Sequence, residues 1–562
     1  MAISHLTSWN DIPEPVLIKI LKRLDIKDVI ACSEVCVDWN RATEDQLLWK
    51  HLFSRMFGKK NNDNGIEKNF ELKSGSTSWK EECIRLIDNV PTVLIQTLKS
   101  HTDEVLHVAF SHDGKEFASC SKDNKVIIWK KFLDGYYMPS ETIDMSIYDW
   151  TCPAQAQYSP SDTKIMVLGK IDIGGYTDLD LVIFSRHDNY KELCRLKDKN
   201  PFHPILQRFH ENIGDIHEPY VHFLSTTISP NGYWYTDNSF LFATEENKSV
   251  TAAIDMYTSI WIHPIPNIQD NAKETLMSGF EDPIITFKSN YSEGWASFTI
   301  SKNILSSKQS DTRNNSQENE SNASCNNIDH KEETLFKRFP ENYIPIESKL
   351  TETHPKQPKD NDLLAITLSL NRLRRNTYSR YGTLVHQITF HNIPSIHDFK
   401  PDFIEREPLK SLEIDGVIIG AAIDSREEFL YINVRMFDHK DSEDTGRYGQ
   451  QVEENIQIRV INLNTLEYET EKMIGHKGFT KKIFNGIFRL DVETTKNFIS
   501  SGSEDSKGYI WDRHYKCLVS TLPHEKCVSC VAFDPNDEER CVTASDDYTL
   551  KVWCSKKHKR CS

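Results

Sequence analysis

The chain has 562 residues, and its 83 Asp and Glu against 67 Lys and Arg give a formal net charge of -16. Such an acidic balance argues against general affinity for nucleic acids or anionic membranes, because a phosphate backbone needs a basic face. Hydrophobic residues make up 38% of the chain, which is enough for globular cores. The length predicts at least two folded units, or one large closed β architecture with an appendage.

The N-terminus lacks the basic and then apolar segments of a secretory signal. The longest apolar run, around residues 363–370, is too short to span a bilayer. The 13 cysteines are scattered without the spacing of a disulfide framework, as expected of thiols in a reducing compartment. We therefore expect a cytoplasmic protein without a membrane segment.

Short amphipathic helices are predicted over residues 8–57. Apolar residues recur at helical spacing from Val16 to Leu24, after two prolines, and again from Val29 to Trp39. A linker over residues 58–90 follows, with a helix at residues 78–88 that ends before Pro91. These elements predict a small all-α domain at the N-terminus.

After Pro91 the hydrophobic pattern changes to alternation in many short runs separated by turn residues, which predicts an all-β domain over residues 91–555. Residues 301–362 are crowded with polar side chains and contain too few hydrophobic ones to offset the entropy of ordering. We expect most of this segment to be a disordered insertion in one loop. Residues 556–562 form a basic tail.

Three segments of the β domain share a repeat. In each, a His precedes a hydroxyl residue, an Asp follows the hydroxyl residue by four positions, and a Trp follows the Asp by six. The repeat length of roughly 40–50 residues is that of a propeller blade. The members are His101, Ser119, Asp123 and Trp129; His476, Ser501, Asp505 and Trp511; and His524, Thr543, Asp547 and Trp553.

These side chains predict a buried chain of hydrogen bonds, in which indole, hydroxyl, imidazole and carboxylate satisfy one another. The alternative is Ser/His/Asp nucleophilic catalysis. A polar network repeated once per blade favours the structural role, because an active site is usually single. The sequence also lacks a phosphate-binding loop, a dinucleotide fingerprint and a metalloprotease motif, so we expect no enzyme activity, no cofactor and no metal.

The three segments resemble WD repeats, whose blades are four-stranded antiparallel sheets around a central channel. The resemblance implies a propeller of seven blades, with eight as the alternative. Because the chain ends soon after Trp553, the last blade lacks a fourth strand of its own. The early strand at residues 93–98 is therefore predicted to complete this blade and close the ring.

The N-terminal helices resemble an F-box in the residues Ile12-Pro13, Val16-Leu17, Ile20-Leu21, Leu24, Asp28-Val29, Val35-Cys36, Trp39 and Leu48-Trp49. The family implies that part of this apolar surface binds the Skp-type adaptor of a cullin-RING ubiquitin ligase. The alternative is a helical cap whose apolar residues are all core. The residues expected to contact the adaptor are Pro13, Leu17, Ile20, Leu21, Leu24, Val35, Cys36 and Trp39.

An F-box followed by WD repeats is the architecture of a ubiquitin-ligase substrate receptor. The resemblance implies a non-catalytic subunit of an SCF-type ligase, in which the propeller holds a protein substrate for ubiquitination and proteasomal degradation. Its contribution to the rate would be proximity. The alternative is a WD-repeat scaffold for signalling, cytoskeletal or centrosomal assemblies.

Asp512 and Arg513 follow Trp511 and partly match the Trp-Asp-x-Arg signature by which some WD-repeat proteins join cullin-4 ligases. His514 occupies the place where the signature has its Arg. The match makes these two residues candidates for contact with a second adaptor. An ordinary exposed turn is the alternative.

A basic cluster lies between two apparent strands, so that it is predicted at the tip of a hairpin. Guanidinium groups at such a tip can bind a phosphorylated or acidic substrate through paired hydrogen bonds. A solvated loop of an acidic protein is the alternative. The cluster consists of Arg372, Arg374, Arg375 and Arg380.

Overall fold

The computed structural model describes residues 12–58, 69–132, 135–173, 176–197, 232–237, 239–247, 256–264, 285–289, 297–302, 363–373, 383–393, 409–438, 452–479, 490 and 492–561. These residues form an N-terminal helical domain and a series of antiparallel sheets. Within these ranges, no helix is both long and apolar enough to cross a membrane.

The last helix of the helical domain and the linker helix each begin at a side-chain cap. Asp45 accepts a hydrogen bond from the backbone N–H of Leu48, and Ser78 does the same for Glu81. Such caps satisfy N–H groups that have no partner inside a helix. The helices are α1 (Glu14–Leu21), α2 (Ile26–Cys32), α3 (Val37–Thr43), α4 (Gln46–Phe57) and α5 (Trp79–Asp88).

The early part of the β domain contains four sheets. The first is formed by β2 (Val105–Phe110), β3 (Glu116–Ser121), β4 (Lys125–Lys131) and β5 (Tyr137–Asp144), and the second by β6 (Cys152–Tyr158), β7 (Lys164–Ile173), β8 (Tyr176–Ser185) and β9 (Lys191–Lys197). The third is formed by β10 (Gly232–Thr236), β11 (Ser239–Asn247), β12 (Met256–Pro264) and β13 (Ile285–Ser289), and the fourth by β14 (Ser297–Lys302), β15 (Leu363–Leu373), β16 (Thr383–Ile393) and β17 (Lys410–Ile414).

Three further sheets follow. The fifth is formed by β18 (Gly416–Ile423), β19 (Phe429–Phe437), β20 (Val452–Asn462), β21 (Glu467–Tyr468) and β22 (Met473–Lys477), and the sixth by β23 (Val492–Thr494), β24 (Phe498–Ser501), β25 (Lys507–Asp512) and β26 (Cys517–Pro523). The seventh combines β27 (Val528–Asp534), β28 (Asp537–Ser545) and β29 (Leu550–Cys554) with the early strand β1 (Val93–Leu98).

The seven sheets found among the described residues are the blades of a propeller, which confirms the predicted fold class. We number the blades one to seven in the order of the sheets above. Blade seven is completed by β1, which runs antiparallel to β29 with Leu94 opposite Trp553 and Leu98 opposite Leu550. This pairing joins the two ends of the β domain and leaves no open edge on β29.

Neighbouring blades pack through buried apolar side chains and a few polar contacts. At the seam between blades seven and one, Ser529 Oγ donates to the carbonyl of Val105 at 2.8 Å, and Lys131 Nζ lies 2.7 Å from an Asp534 carboxylate oxygen. Blades four and five share one apolar cluster that contains Ile388 and Ile418. The ring is thus held by contacts between residues far apart in sequence.

Two further predictions concern an insertion in the β domain and the C-terminal tail. The insertion expected at residues 301–362 falls between β14 and β15, and apart from Ser301 and Lys302 it lies outside the described residues. The basic tail expected at residues 556–562 is a short helix, α6 (Lys556–Cys561), over its described part. Lys556 Nζ donates to the carbonyl of Ile87, at the end of the linker helix, at 3.3 Å.

Candidate functional site

The helical domain presents apolar side chains to solvent as well as to its core. On α1, Leu17 and Leu21 are four residues apart and face inward, whereas Val16 and Ile20, also four apart, face outward. The side chains of Val35 and Val37, before and at the start of α3, are 61% and 79% exposed. We call the exposed set the outer apolar residues: Val16, Ile20, Ile30, Val35, Val37 and Leu47.

The structure corrects part of the predicted adaptor surface. Leu17 and Leu21 are 2% and 0% exposed and lie in the internal core, so neither is available to a partner. Leu24 and Trp39 are half-buried against the same core. Cys36 is also half-buried, and Pro13, Ile20 and Val35 are exposed.

The linker and the helical domain are joined to blade six by an aromatic cluster. Tyr515, in the turn between β25 and β26, is 2% exposed, and its ring centroid lies 4.7 Å from that of Phe53, 5.9 Å from Phe70 and 6.1 Å from Trp79. Its hydroxyl accepts a hydrogen bond from the backbone N–H of Lys73 at 3.1 Å. The helical domain, the linker and blades six and seven therefore share one continuous core.

A buried ion-pair network lies beside this cluster. Arg85 Nη2, on the linker helix α5, lies 2.7 Å from a carboxylate oxygen of Glu82 and 2.7 Å from one of Asp512. Burial by itself would lower the pKa of Arg85, but the two carboxylates outweigh it and raise the pKa above its ordinary value. We call this network, with the aromatic cluster around Tyr515, the joint.

Asp512 and Arg513, the candidates for contact with a second adaptor, both make contacts within this chain. The carboxylate of Asp512 is buried and accepts hydrogen bonds from Arg85 and from the backbone N–H of Tyr515. Arg513 pairs with Asp424 of blade five, and its guanidinium lies 5.7 Å from the ring centre of Phe429. Both side chains connect distant parts of this chain. Their partners come from residues that the local motif does not include.

The predicted hydrogen-bond network is present in blade one. His101 Nδ1–H donates to Asp123 at 2.9 Å, His101 Nε2 lies 2.7 Å from Ser119 Oγ, and Trp129 Nε1–H donates to the same hydroxyl at 2.9 Å. Ser119 is fully buried. A hydroxyl without access to solvent cannot attack a protein substrate, so this set has the geometry of a structural network.

Blade seven repeats this arrangement with Thr in place of Ser. His524 lies 2.8 Å from Asp547 through Nδ1 and 2.6 Å from Thr543 Oγ1 through Nε2, and Trp553 Nε1–H donates to Thr543 at 2.9 Å. Burial lowers the pKa of His524, although Asp547 opposes this effect. The network thus holds a neutral imidazole between a carboxylate and a hydroxyl.

The predicted network of His476, Ser501, Asp505 and Trp511 is not formed, and its His lies on β22, a strand of the fifth sheet. His476 Nε2 contacts Asn433 Oδ1 of blade five at 3.0 Å, and Asn433 Nδ2 donates to Ser501 Oγ at 2.7 Å. Asp505 accepts a hydrogen bond from the Tyr509 hydroxyl at 2.6 Å. Trp511 Nε1 donates to the carbonyl of Ile474 at 3.2 Å. Asn433 of β19 and Tyr509 of β25 have taken the places of the expected partners.

The basic cluster is only partly described. Arg372 is the penultimate residue of β15 and lies opposite Leu384 of β16, so the cluster does begin at the end of a hairpin. Arg374, Arg375 and Arg380 lie outside the described residues. In blade four, β15 ends and β16 begins at the end of the sheet opposite to the one where β16 ends and β17 begins.

Comparison with known proteins decides what these two domains are. A family model described as F-box-like matches residues 9–55, and one described as WD domain, G-beta repeat matches residues 92–130 and 516–554. The chain combines an F-box with WD repeats. The two matched WD segments contain the complete networks of blades one and seven.

The likeness to F-box/WD proteins extends along nearly the whole chain. This chain is 27% identical to F-box/WD repeat-containing protein 5 of Mus musculus, over 97% of its own length and 93% of that protein. The human protein of that name is also 27% identical, over 97% of this chain and 94% of its own length. GID complex subunit 7 of Schizosaccharomyces pombe is 44% identical over 11% of this chain and 13% of that protein.

The combination of an F-box with WD repeats is that of an F-box substrate receptor. Sequence reasoning missed four of the outer apolar residues, Val16, Ile30, Val37 and Leu47. In the sequence, these residues can be recognised as apolar residues that stand one position away from the residues facing the core.

Proposed function

We propose that this chain is the substrate receptor of an SCF-type cullin-RING E3 ubiquitin ligase. The F-box binds the Skp-type adaptor, and the propeller binds a protein that is ubiquitinated and then degraded by the proteasome. The observation that carries the proposal is the set of outer apolar residues on a small helical domain. Uncovered apolar side chains of this number favour a protein partner, since each is stabilised by removal from water.

The joint supports the receptor role, because it fixes the F-box to one end of the propeller. The turn that carries Tyr515 connects the third and fourth strands of blade six. The second strands of the blades end, and the third strands begin, at the other end, and Arg372 near the end of β15 lies there. We place the substrate at that other end, where a rigid receptor would hold it at a set distance from the ubiquitin-conjugating enzyme.

The receptor acts without catalysis of its own in this proposal. Its cytoplasmic location is part of the proposal and is supported by eleven cysteines of the described residues, which are free thiols. Asp512 and Arg513 give no support for a second assembly on a cullin-4 ligase. Asp512 pairs with Arg85 in the joint, and Arg513 pairs with Asp424 of blade five. We therefore do not extend the proposal to it.

The test is binding of the full chain to a purified Skp-type adaptor. The variant with Val35→Asp and Val37→Asp places two charges among the outer apolar residues, and we expect affinity to fall at least about 100-fold. Circular dichroism should stay unchanged, because both side chains are exposed in the free protein. The matched control is Ile147→Asp, which adds a charge at a side chain that is 69% exposed on the propeller and should bind as the wild type does.

The competing function is a WD-repeat scaffold whose helices only cap the propeller. A wild-type chain that binds no adaptor would support the scaffold and contradict the receptor. Equal loss of binding in the Ile147→Asp control would show that added charge, and not the F-box surface, had weakened the complex.

A further inference from the structure

The basic tail is a charged segment that the substrate-receptor function does not use. Its run Lys556-Lys557-His558-Lys559-Arg560 places four cationic side chains within five residues, in a chain whose formal net charge is -16. Runs of this kind are recognised by nuclear import receptors or by polyanions such as nucleic acids. Either kind of partner needs access to the backbone and the side chains of the run.

In the structure the tail is folded as α6 and lies against acidic side chains at the start of β28. Lys557 Nζ lies 3.3 Å from a carboxylate oxygen of Glu539, and His558 Nδ1 lies 3.6 Å from one of Asp537. On its other side, His558 Nε2 lies 3.0 Å from Arg540 Nη2. The chain therefore offers carboxylates of its own to the basic run.

The contacts that hold α6 in place are weak. The side chain of Lys557 is 61% exposed, and an ion pair with such exposure stabilises a fold little, because water and salt screen it. The hydrogen bond from Lys556 Nζ to the carbonyl of Ile87 is long, at 3.3 Å. A helix of six residues is also too short to be stable in water by itself. The tail can therefore open while the sheet of blade seven stays intact.

The start of α6 is fixed by Ser555, which lies between β29 and the basic run. Its hydroxyl accepts a hydrogen bond from the backbone N–H of His558 at 2.9 Å, as a helix cap does. In the helix that follows, successive side chains point in different directions around the axis. A peptide groove commonly binds an extended segment, whose side chains alternate between two sides. The closed tail therefore hides the run from such a groove.

We propose that the basic tail is a nuclear import signal that this fold holds closed, and that its partner is a nuclear import receptor. The import receptor supplies the carboxylates that Asp537 and Glu539 supply in the closed form, and it binds the tail once α6 has opened. The net negative charge favours this partner over nucleic acid, because a polyanion is repelled by the whole chain whereas a peptide groove contacts only the tail. The inference does not depend on the role of the F-box.

Binding of the full-length protein to a purified import receptor of the importin-α class tests the proposal. Ser555→Ala removes the cap of α6 and leaves the basic run unchanged. It should raise the apparent affinity about fivefold, because a larger fraction of the molecules then has an open tail. Replacing both Lys556 and Lys557 by Ala removes two cations of the run and should lower the affinity at least about 30-fold.

The matched control replaces Lys99 and Lys130 by Ala. Both side chains are exposed on the propeller, so the control changes the net charge equally and should bind as the wild type does. Glu539→Gln removes the carboxylate that pairs with Lys557 and should change the affinity in the same direction as Ser555→Ala. It replaces Ser555→Ala if that variant does not fold.

The nuclear fraction of the full-length protein in cells gives a second measurement. Ser555→Ala should raise this fraction, and the further replacement of Lys556 and Lys557 by Ala should abolish the rise. Equal affinity of the wild type and the cap variant for the import receptor would contradict the closed tail. Absence of binding in both, or an equal loss in the lysine control and the tail variant, would overturn the proposal. Binding of a short DNA duplex by Ser555→Ala without binding of the import receptor would also overturn it.

Discussion

The joint between F-box and propeller makes a quantitative prediction for Asp512→Ala. The carboxylate is fully buried and accepts hydrogen bonds from Arg85 Nη2 and from the backbone N–H of Tyr515, both at 2.7 Å. Removing one partner of a buried ion pair costs about 3–5 kcal/mol. Arg85 keeps Glu82 as a partner, but the N–H of Tyr515 loses its acceptor, so we expect the free energy of unfolding to fall by about 3–4 kcal/mol.

Urea denaturation followed by tryptophan fluorescence measures this loss, and proteolysis of the linker at low urea reports whether the F-box has separated from blade six. The control is Asp38→Ala, whose carboxylate pairs with Arg41 while both side chains are 63% exposed. An exposed pair of this kind contributes less than about 1 kcal/mol. Equal effects of the two substitutions, or an unchanged rate of linker cleavage in Asp512→Ala, would refute a buried joint.

Three other predictions concern the core, the pH and the networks. Leu21→Asp places an unpaired carboxylate at a fully buried position and should lower the free energy of unfolding by about 4 kcal/mol or more. Thermal denaturation should then find the F-box unfolded. A native melting curve would contradict the assignment of Leu21 to the core. The pKa of Glu82 is lowered, because hydrogen bonds from Arg85 and Ser76 outweigh the opposite effect of burial. Its contribution to stability is therefore present above about pH 4.3 and is lost as the pH falls below it, and a Glu82→Gln variant should show a flatter acid limb in pH-dependent unfolding. Asp123→Ala removes the acceptor of a complete network and should lower the free energy of unfolding by about 2–3 kcal/mol. Asp505→Ala removes the acceptor of the hydrogen bond from the Tyr509 hydroxyl and should lower it by about 1 kcal/mol. Equal losses in urea titrations would contradict the assignment of blade six.

The spacing of His, hydroxyl, Asp and Trp was sufficient to predict blades one and seven, because every partner in those networks lies within one repeat. The pattern failed for blade six, where His476 stands 25 positions before Ser501 and the equivalent His of blades one and seven stands 18 and 19 positions before its hydroxyl residue. One competitor, Tyr509, stands between Asp505 and Trp511 in the sequence and could have been suspected. The other competitor, Asn433, belongs to a different blade from Ser501, and no pattern within the repeat predicts this contact.

Periodicity predicted the F-box helices but not which of their faces is covered. Helix α1 is apolar on two sides, so Leu17 and Val16 are equivalent in the sequence and differ only in what packs against them. The Trp-Asp-Arg run had the same limitation. Asp512 meets Arg85 across 427 positions of the chain, a distance over which a local motif carries no information.

The proposed receptor requires the F-box and the propeller in one chain, so that a protein captured by the propeller is ubiquitinated by the ligase that the F-box binds. The most direct measurement compares full-length wild type with the Val35→Asp, Val37→Asp variant in cells treated with a proteasome inhibitor, and quantifies by mass spectrometry both the captured proteins and their ubiquitin modification. We expect both forms to capture the same proteins, and we expect these proteins to be ubiquitinated only in cells that contain the wild type. Equal modification with both forms, or capture without any modification, would contradict it.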